Sequence, residues 1–125
     1  MFSLLVSRII RFNKPIYNIP KVYYCKQYTN KEEWIQKIDN NYHIGISQSA
    51  KDQLGDLVFI EFQFDKNDEI KKDEEIIILE SVKASDSINA PFDCILVDNN
   101  TKIEDNLDIV NNDPENTWFI KIKKK

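Results

Sequence analysis

The sequence predicts a mainly β protein, a compact sandwich or flattened barrel carrying one or two short helices. Short runs rich in Ile, Val and Phe recur at close spacing, and clusters of Asn, Asp, Ser and Lys separate them as turns. A chain of 125 residues with 42% hydrophobic content builds one core and is too short for two ordinary domains.

Residues 33–39 and 42–46 alternate as two strands, joined by the polar turn Asp39-Asn40-Asn41. Ser47 has the side chain of an N-cap for a short helix over 48–54, and Gly55 is placed to end it in a left-handed conformation. Residues 57–62 read as a strand by composition. The charged stretch 65–74 is a connection, with Ile70 as the one apolar point able to pin it to the core. Residues 75–81 form the next strand and 88–90 its return, with a short uncrowded tip between them. Residues 94–98 are a further strand, 103–110 a polar turn region with room for a helical turn, and 118–123 alternate again.

All 21 acidic residues lie at or after Glu32, whereas residues 1–28 hold Arg8, Arg11, Lys14, Lys21 and Lys26 and no acid. This basic, partly apolar leader has the character of a mitochondrial transit peptide, leaving 29–125 as the folded domain. It implies a matrix location, with plastid targeting as second choice. Without the leader the net charge moves from −4 to 12 − 21 = −9. Such a domain repels phosphate backbones, so no nucleic-acid role is expected and docking partners should be basic. No apolar run approaches the ~20 residues of a spanning helix, so no membrane role is expected either. Cys25 falls in the leader and Cys94 reads as a buried strand residue, with no metal or disulfide pattern between them.

The chemistry concentrates on Lys83. In Glu80-Ser81-Val82-Lys83-Ala84 an apolar ladder gives way to small and polar residues, which places one lysine at a hairpin tip with an accessible amine. The competing reading is a solvated turn lysine. Catalysis by the chain itself has little support. The single histidine, His43, has no nucleophile placed by motif, and Gly45 and Gly55 cannot make a phosphate-binding loop. The acidic run Asp73-Glu74-Glu75 lacks metal-ligand spacing and reads as a solvated face.

The Glu80–Ala84 motif resembles the lipoylation motif of the glycine cleavage system H-protein family. The likeness continues in order through Glu33-Trp34-Ile35, Gly45-Ile46-Ser47, Leu54 to Glu61, Ala90-Pro91, Val110-Asn111, Asp113-Pro114 and Trp118. It implies a barrel-sandwich hybrid fold and lipoate held covalently on Lys83, with Glu80, Ser81, Val82 and Ala84 read by the attaching ligase or lipoyl/octanoyl transferase. The partners it implies are glycine decarboxylase (P protein), aminomethyltransferase (T protein) and dihydrolipoyl dehydrogenase (L protein). Between them the arm would carry the aminomethyl group of glycine.

The resemblance also implies a cleft that holds the loaded arm, with Glu33, Asp86 and Ser87 as candidates. Here the chain departs from the family pattern. Lys31 replaces a hydroxyl residue, Glu32 a histidine, and the expected aspartate falls on Ser87, with Asp86 one place early. Asn67, Asp73, Ile77 and Cys94 stand where glycines are usual, so a bulkier sheet near the lysine is expected. The family's C-terminal helix is expected to have no counterpart after 118–123.

Two alternatives keep the fold and change its use. One is a lipoate relay or storage carrier for other 2-oxoacid dehydrogenase complexes, motivated by the altered cleft. The other is an unmodified interaction module. A biotinyl domain fits less well, since Val82 and Ala84 stand where methionines are usual.

Overall fold

The computed structural model describes residues 24–125; most of the leader assignment lies outside the described residues. Two sheets face each other. One has six strands in the order β1-β2-β3-β9-β8-β5: β1 (Gln27–Tyr28), β2 (Glu33–Ile38), β3 (Asn41–Ile46), β9 (Ile120–Lys124), β8 (Cys94–Asn99) and β5 (Glu69–Ile70). The other has three: β4 (Leu57–Phe62), β6 (Glu75–Ser81) and β7 (Ser85–Asn89), with β6 central. All pairings are antiparallel. The core lies between the sheets, where Ile44, Ile46, Leu96, Phe119, Ile120 and Ile122 meet Ile60, Ile77, Leu79 and Ile88. This is the mainly β architecture expected.

The helix α1 (Gln48–Leu54) forms as its caps dictate. The Ser47 hydroxyl accepts from Ala50 N, and Gly55, at φ 85° and ψ −173°, donates its N–H to Lys51 O. That backbone region is open essentially to glycine alone. Asn67 and Asp73 take positive φ at 74° and 73°, so the turns survive without glycine.

Several elements differ from expectation. Gln27–Tyr28 pair with Trp34 and Ile35, so the folded unit draws an edge strand from the end of the leader stretch. Ile70 is buried as expected, but within a short strand paired to β8. The return from the tip starts at Ser85 rather than 88. Two single-turn helices, α2 (Lys102–Asp105) and α3 (Asp108–Asn112), and a 3-10 turn (Pro114–Asn116) replace the one turn expected there, while Trp118 and Phe119 precede β9 instead of belonging to it. Ile77 and Cys94 do not crowd the lysine. Both are fully buried, Cys94 in the opposite sheet, so their side chains fill the core.

Gly45 answers a packing demand. A Cβ there would stand 2.5 Å from the Trp34 ring and 2.7 Å from the Thr117 carbonyl, so the bare backbone lets the indole lie across β3. Trp34 is then anchored by its Nε1–H, which donates to Pro114 O at 3.1 Å.

Candidate functional site

β6 and β7 form a hairpin whose tip is Val82-Lys83-Ala84, all exposed. Ser81 organises the tip. Its hydroxyl accepts from Lys83 N at 3.1 Å and Ala84 N at 3.0 Å and donates to the carbonyl of Leu54, the last residue of α1. Ser81 N donates to Ala84 O at 2.8 Å, and Val82 N donates to Asp56 O at 3.2 Å. The turn is therefore tied to the helix end as well as closed on itself. A Cβ on Gly55 would stand 3.4 Å from Lys83 Cε and Val82 Cγ2, so the lysine stem lies over the bare glycine.

Glu80 is exposed on the central strand opposite Phe59. Val58 and Phe59 are both exposed, at 55% and 47%, because a register shift between Leu57 and Phe59 breaks the in-out alternation of β4. Asn111 holds the start of that strand, accepting from Leu57 N at 2.8 Å and donating to Leu57 O at 3.2 Å.

The other candidates converge beside the tip through a residue counted as a departure. Lys31 Nζ sits 3.1 Å from Asp86 Oδ1 and donates to Ser87 O at 2.7 Å. Ser87 thus contributes its carbonyl, while its hydroxyl donates to Asn89 Oδ1. Glu33 is only 8% exposed. Burial pushes its carboxyl above the ordinary value, and Asp86 adds to this. The Lys31 charge and the Thr29 hydroxyl, which donates to Glu33 Oε1 at 3.3 Å, pull the other way. A groove of about 290 Å³ runs from Lys31 past Gln53 and Leu54 to Ala84, Ser85 and Asp86.

Sequence reasoning missed how these residues are aimed. Glu32 adopts φ 62°, and its carboxylate accepts from Ser49 Oγ at 2.9 Å and Gln53 Nε2 at 3.1 Å. With Glu32 turned onto α1, its neighbours Lys31 and Glu33 both act at the β7 side. Only the threonine-to-glutamate spacing 29–33, with its local hydrogen bonds, could have signalled this turn.

His43 lies beside the Trp118 ring, with centroids 5.7 Å apart. Cys94 is buried, and desolvation first, then Asp93 and Glu74, push its thiol up to about 11. Among the described residues no group of His, Cys, Asp and Glu could hold a metal ion, and no helix is long and apolar enough to cross a membrane.

A family model described as "Glycine cleavage H-protein" matches residues 26–125. The chain belongs to this family. It is 40% identical over 96 residues to the glycine cleavage system H protein of Clostridium botulinum strain Loch Maree, covering 77% of this chain and 73% of that one. A Dictyostelium discoideum protein named "Probable glycine cleavage system H protein 1, mitochondrial" is 34% identical over 108 residues, covering 85% and 73%. The crystal structure of the Mycobacterium marinum glycine cleavage system H protein superposes with a TM-score of 0.73 at 26% identity, covering 80% of this chain and 84% of that one. As an H-family chain it is a lipoyl-carrier-type component of the glycine cleavage system and not an enzyme. The Clostridium relative is bacterial, and the Dictyostelium relative is named as mitochondrial.

Proposed function

We propose that Lys83 carries a lipoyl group in amide linkage and presents it in turn to glycine decarboxylase, aminomethyltransferase and dihydrolipoyl dehydrogenase. The observation that carries this reading is the exposed lysine on a hairpin tip braced from two sides, inside the Glu80–Ala84 motif. The residues present fit such a group. Small Ala84 and the bare Gly55 leave the stem unobstructed, and a groove of about 290 Å³ opens at Ala84, next to the lysine.

When bound, lipoate supplies the dithiolane that takes up the aminomethyl group of glycine and is later reoxidised. The chain's own work is presentation. The attaching ligase or lipoyl/octanoyl transferase must reach the Lys83 amine, and exposure of the tip leaves room for that contact. Tethering then raises the arm's effective concentration at each partner to the order of millimolar. Asp86 with the Ser87 carbonyl offers a seat for a cationic arm end, with the Glu33 carboxyl in electrostatic reach, which favours the glycine-cleavage role over lipoate relay.

We place the carrier in the mitochondrial matrix, on the acid-free leader and the mitochondrial naming of the Dictyostelium relative. Import of a tagged full-length chain that fails once residues 1–23 are removed would support this.

The deciding experiment is intact-mass analysis after incubation with lipoate, ATP and a lipoate ligase. One lipoyl addition is expected on the wild type, mapped to Lys83, and none on Lys83→Arg. An unmodified wild type under conditions that load another H protein would refute the reading.

A further inference from the structure

We propose that Lys31 is a resident cation that competes with an ammonium-ended arm on Lys83 for the seat formed by Asp86 and the Ser87 carbonyl, and so shortens the time the arm stays down. This rests on the carrier reading above.

The seat is already an ammonium site. Lys31 Nζ satisfies one carboxylate oxygen at 3.1 Å and one carbonyl at 2.7 Å, the partner set any primary ammonium would use. Glu33 lies within electrostatic reach of both Lys31 and Asp86. Position also fits. The seat is on the strand leaving the tip, and Asp86 is three residues from Lys83, at most about 10 Å of extended chain, a distance that an eight-carbon acyl chain on a lysine stem exceeds. Lys31 and Asp86 line the groove together with Ala50, Leu54 and Ala84, whose apolar side chains offer contact to a methylene chain, and Ala84 is the neighbour of Lys83.

Displacement costs little. The Lys31 and Asp86 side chains are 45% and 42% exposed, so the released ammonium moves into water while the arm's ammonium takes its place. Net charge in the seat is the same before and after. A neutral arm end gains nothing there and leaves Lys31 seated. Occupancy of the groove is thereby tied to the charge on the arm, with Lys31 setting the threshold.

The test uses full-length carrier lipoylated on Lys83, reduced, and loaded without the decarboxylase by formaldehyde and ammonia. One thiol condenses as R–SH + CH2O + NH3 → R–S–CH2–NH2 + H2O, and the second thiol of the arm stays free. Alkylation of that free thiol by iodoacetamide, followed by mass spectrometry of the Lys83 peptide, reports how often the arm leaves the groove. Lys31→Met should slow alkylation of the loaded arm about two- to five-fold, the range an exposed ion pair supports, and Asp86→Asn should speed it. On the unloaded dithiol arm both variants should match the wild type. Opposite signs separate competition from a merely structural pair, whose loss would push both variants the same way. In the wild type, acetylation of the Lys31 amine should quicken on loading. Loaded Lys31→Met that alkylates at or above the wild-type rate overturns the proposal alone. A wild-type chain that takes no lipoyl group on Lys83 overturns the carrier reading and the proposal with it.

Discussion

Replacing Ser81 by alanine isolates the bracing of the tip from the lysine itself. The change deletes one hydroxyl that accepts from Lys83 N and Ala84 N and donates to Leu54 O. Three hydrogen bonds at a net of about 0.5–1.5 kcal/mol each would set the upper bound. The N–H groups of Lys83 and Ala84 are at an exposed turn and regain water, so most of the loss comes from the Leu54 carbonyl. An expected loss of about 1–2 kcal/mol follows. Because Ser81 N still donates to Ala84 O and β6 stays paired with β4 and β7, the loss should appear as local opening rather than global unfolding. Hydrogen exchange followed by NMR should show protection of the Ser81 and Val82 amides falling about 5- to 30-fold, with core amides such as Leu79 unchanged. Ligase-driven lipoylation should slow, since a mobile tip spends less time in the geometry the ligase reads. Unchanged protection at Ser81 and Val82 would refute the claim that this hydroxyl braces the tip.

Gly45→Ala should destabilise by about 3 kcal/mol, the top of the overpacking range, because the Thr117 carbonyl at 2.7 Å is backbone and cannot swing aside; a urea midpoint within error of wild type would contradict this. Gly55→Ala forces a Cβ into a region open essentially to glycine and should cost about 1–3 kcal/mol, read in the same titration. Glu33 has its carboxyl raised by burial, so its ionised form disfavours the fold: stability falls as pH rises from the unfolded value through the raised folded one. Glu33→Gln should therefore melt higher than wild type at pH 7, and the gap should close at pH below the ordinary carboxylate value; a gap that widens on acidification would reverse the sign. With its thiol raised to about 11 and buried, Cys94 should resist iodoacetamide in the native state at pH 7.5 while exposed Cys25 reacts, as peptide mapping would detect.

The elements legible in the sequence were those whose signals are local. Ser47 and Gly55 bound α1 because a hydroxyl cap and a positive-φ glycine act on their own helix. The run 76–79 reads as strand from β-branched content, and Lys83 stands out because its neighbours change character abruptly. What stayed hidden depends on tertiary contact. β1 and β5 are two residues each and exist only because β2 and β8 offer free edges. The exposure of both Val58 and Phe59 comes from a register shift that period-two alternation cannot foresee. Lys31 looked like a loss from the cleft in one dimension. The left-handed Glu32 brings it to Asp86 and Ser87, and no pattern in a single sequence encodes that meeting.

The same contacts explain how a chain with two glycines presents a lysine firmly. Glu115 ties three elements: its carboxylate accepts from Tyr28 Oη at 2.8 Å and Gln48 N at 2.9 Å, and pairs with Lys26. Burial alone would raise that carboxyl, but the Gln48 N–H, the Tyr28 hydroxyl and the Lys26 charge outweigh it and hold it below the ordinary range, so the anion is the favoured form. The start of α1 is thus fastened to β1 and to the 3-10 turn. Its end is fastened to the tip through Leu54 O and Ser81, and the next residues through Asp56 O and Val82 N. A hydrogen-bonded path therefore runs from the edge strand β1 through one short helix to the tip that carries Lys83. Beyond the lysine Cα the exposed stem passes over Gly55. A carrier benefits from this division. Movement in the platform would widen the volume the arm searches and dilute it at every partner, whereas movement confined to the arm keeps the local concentration high.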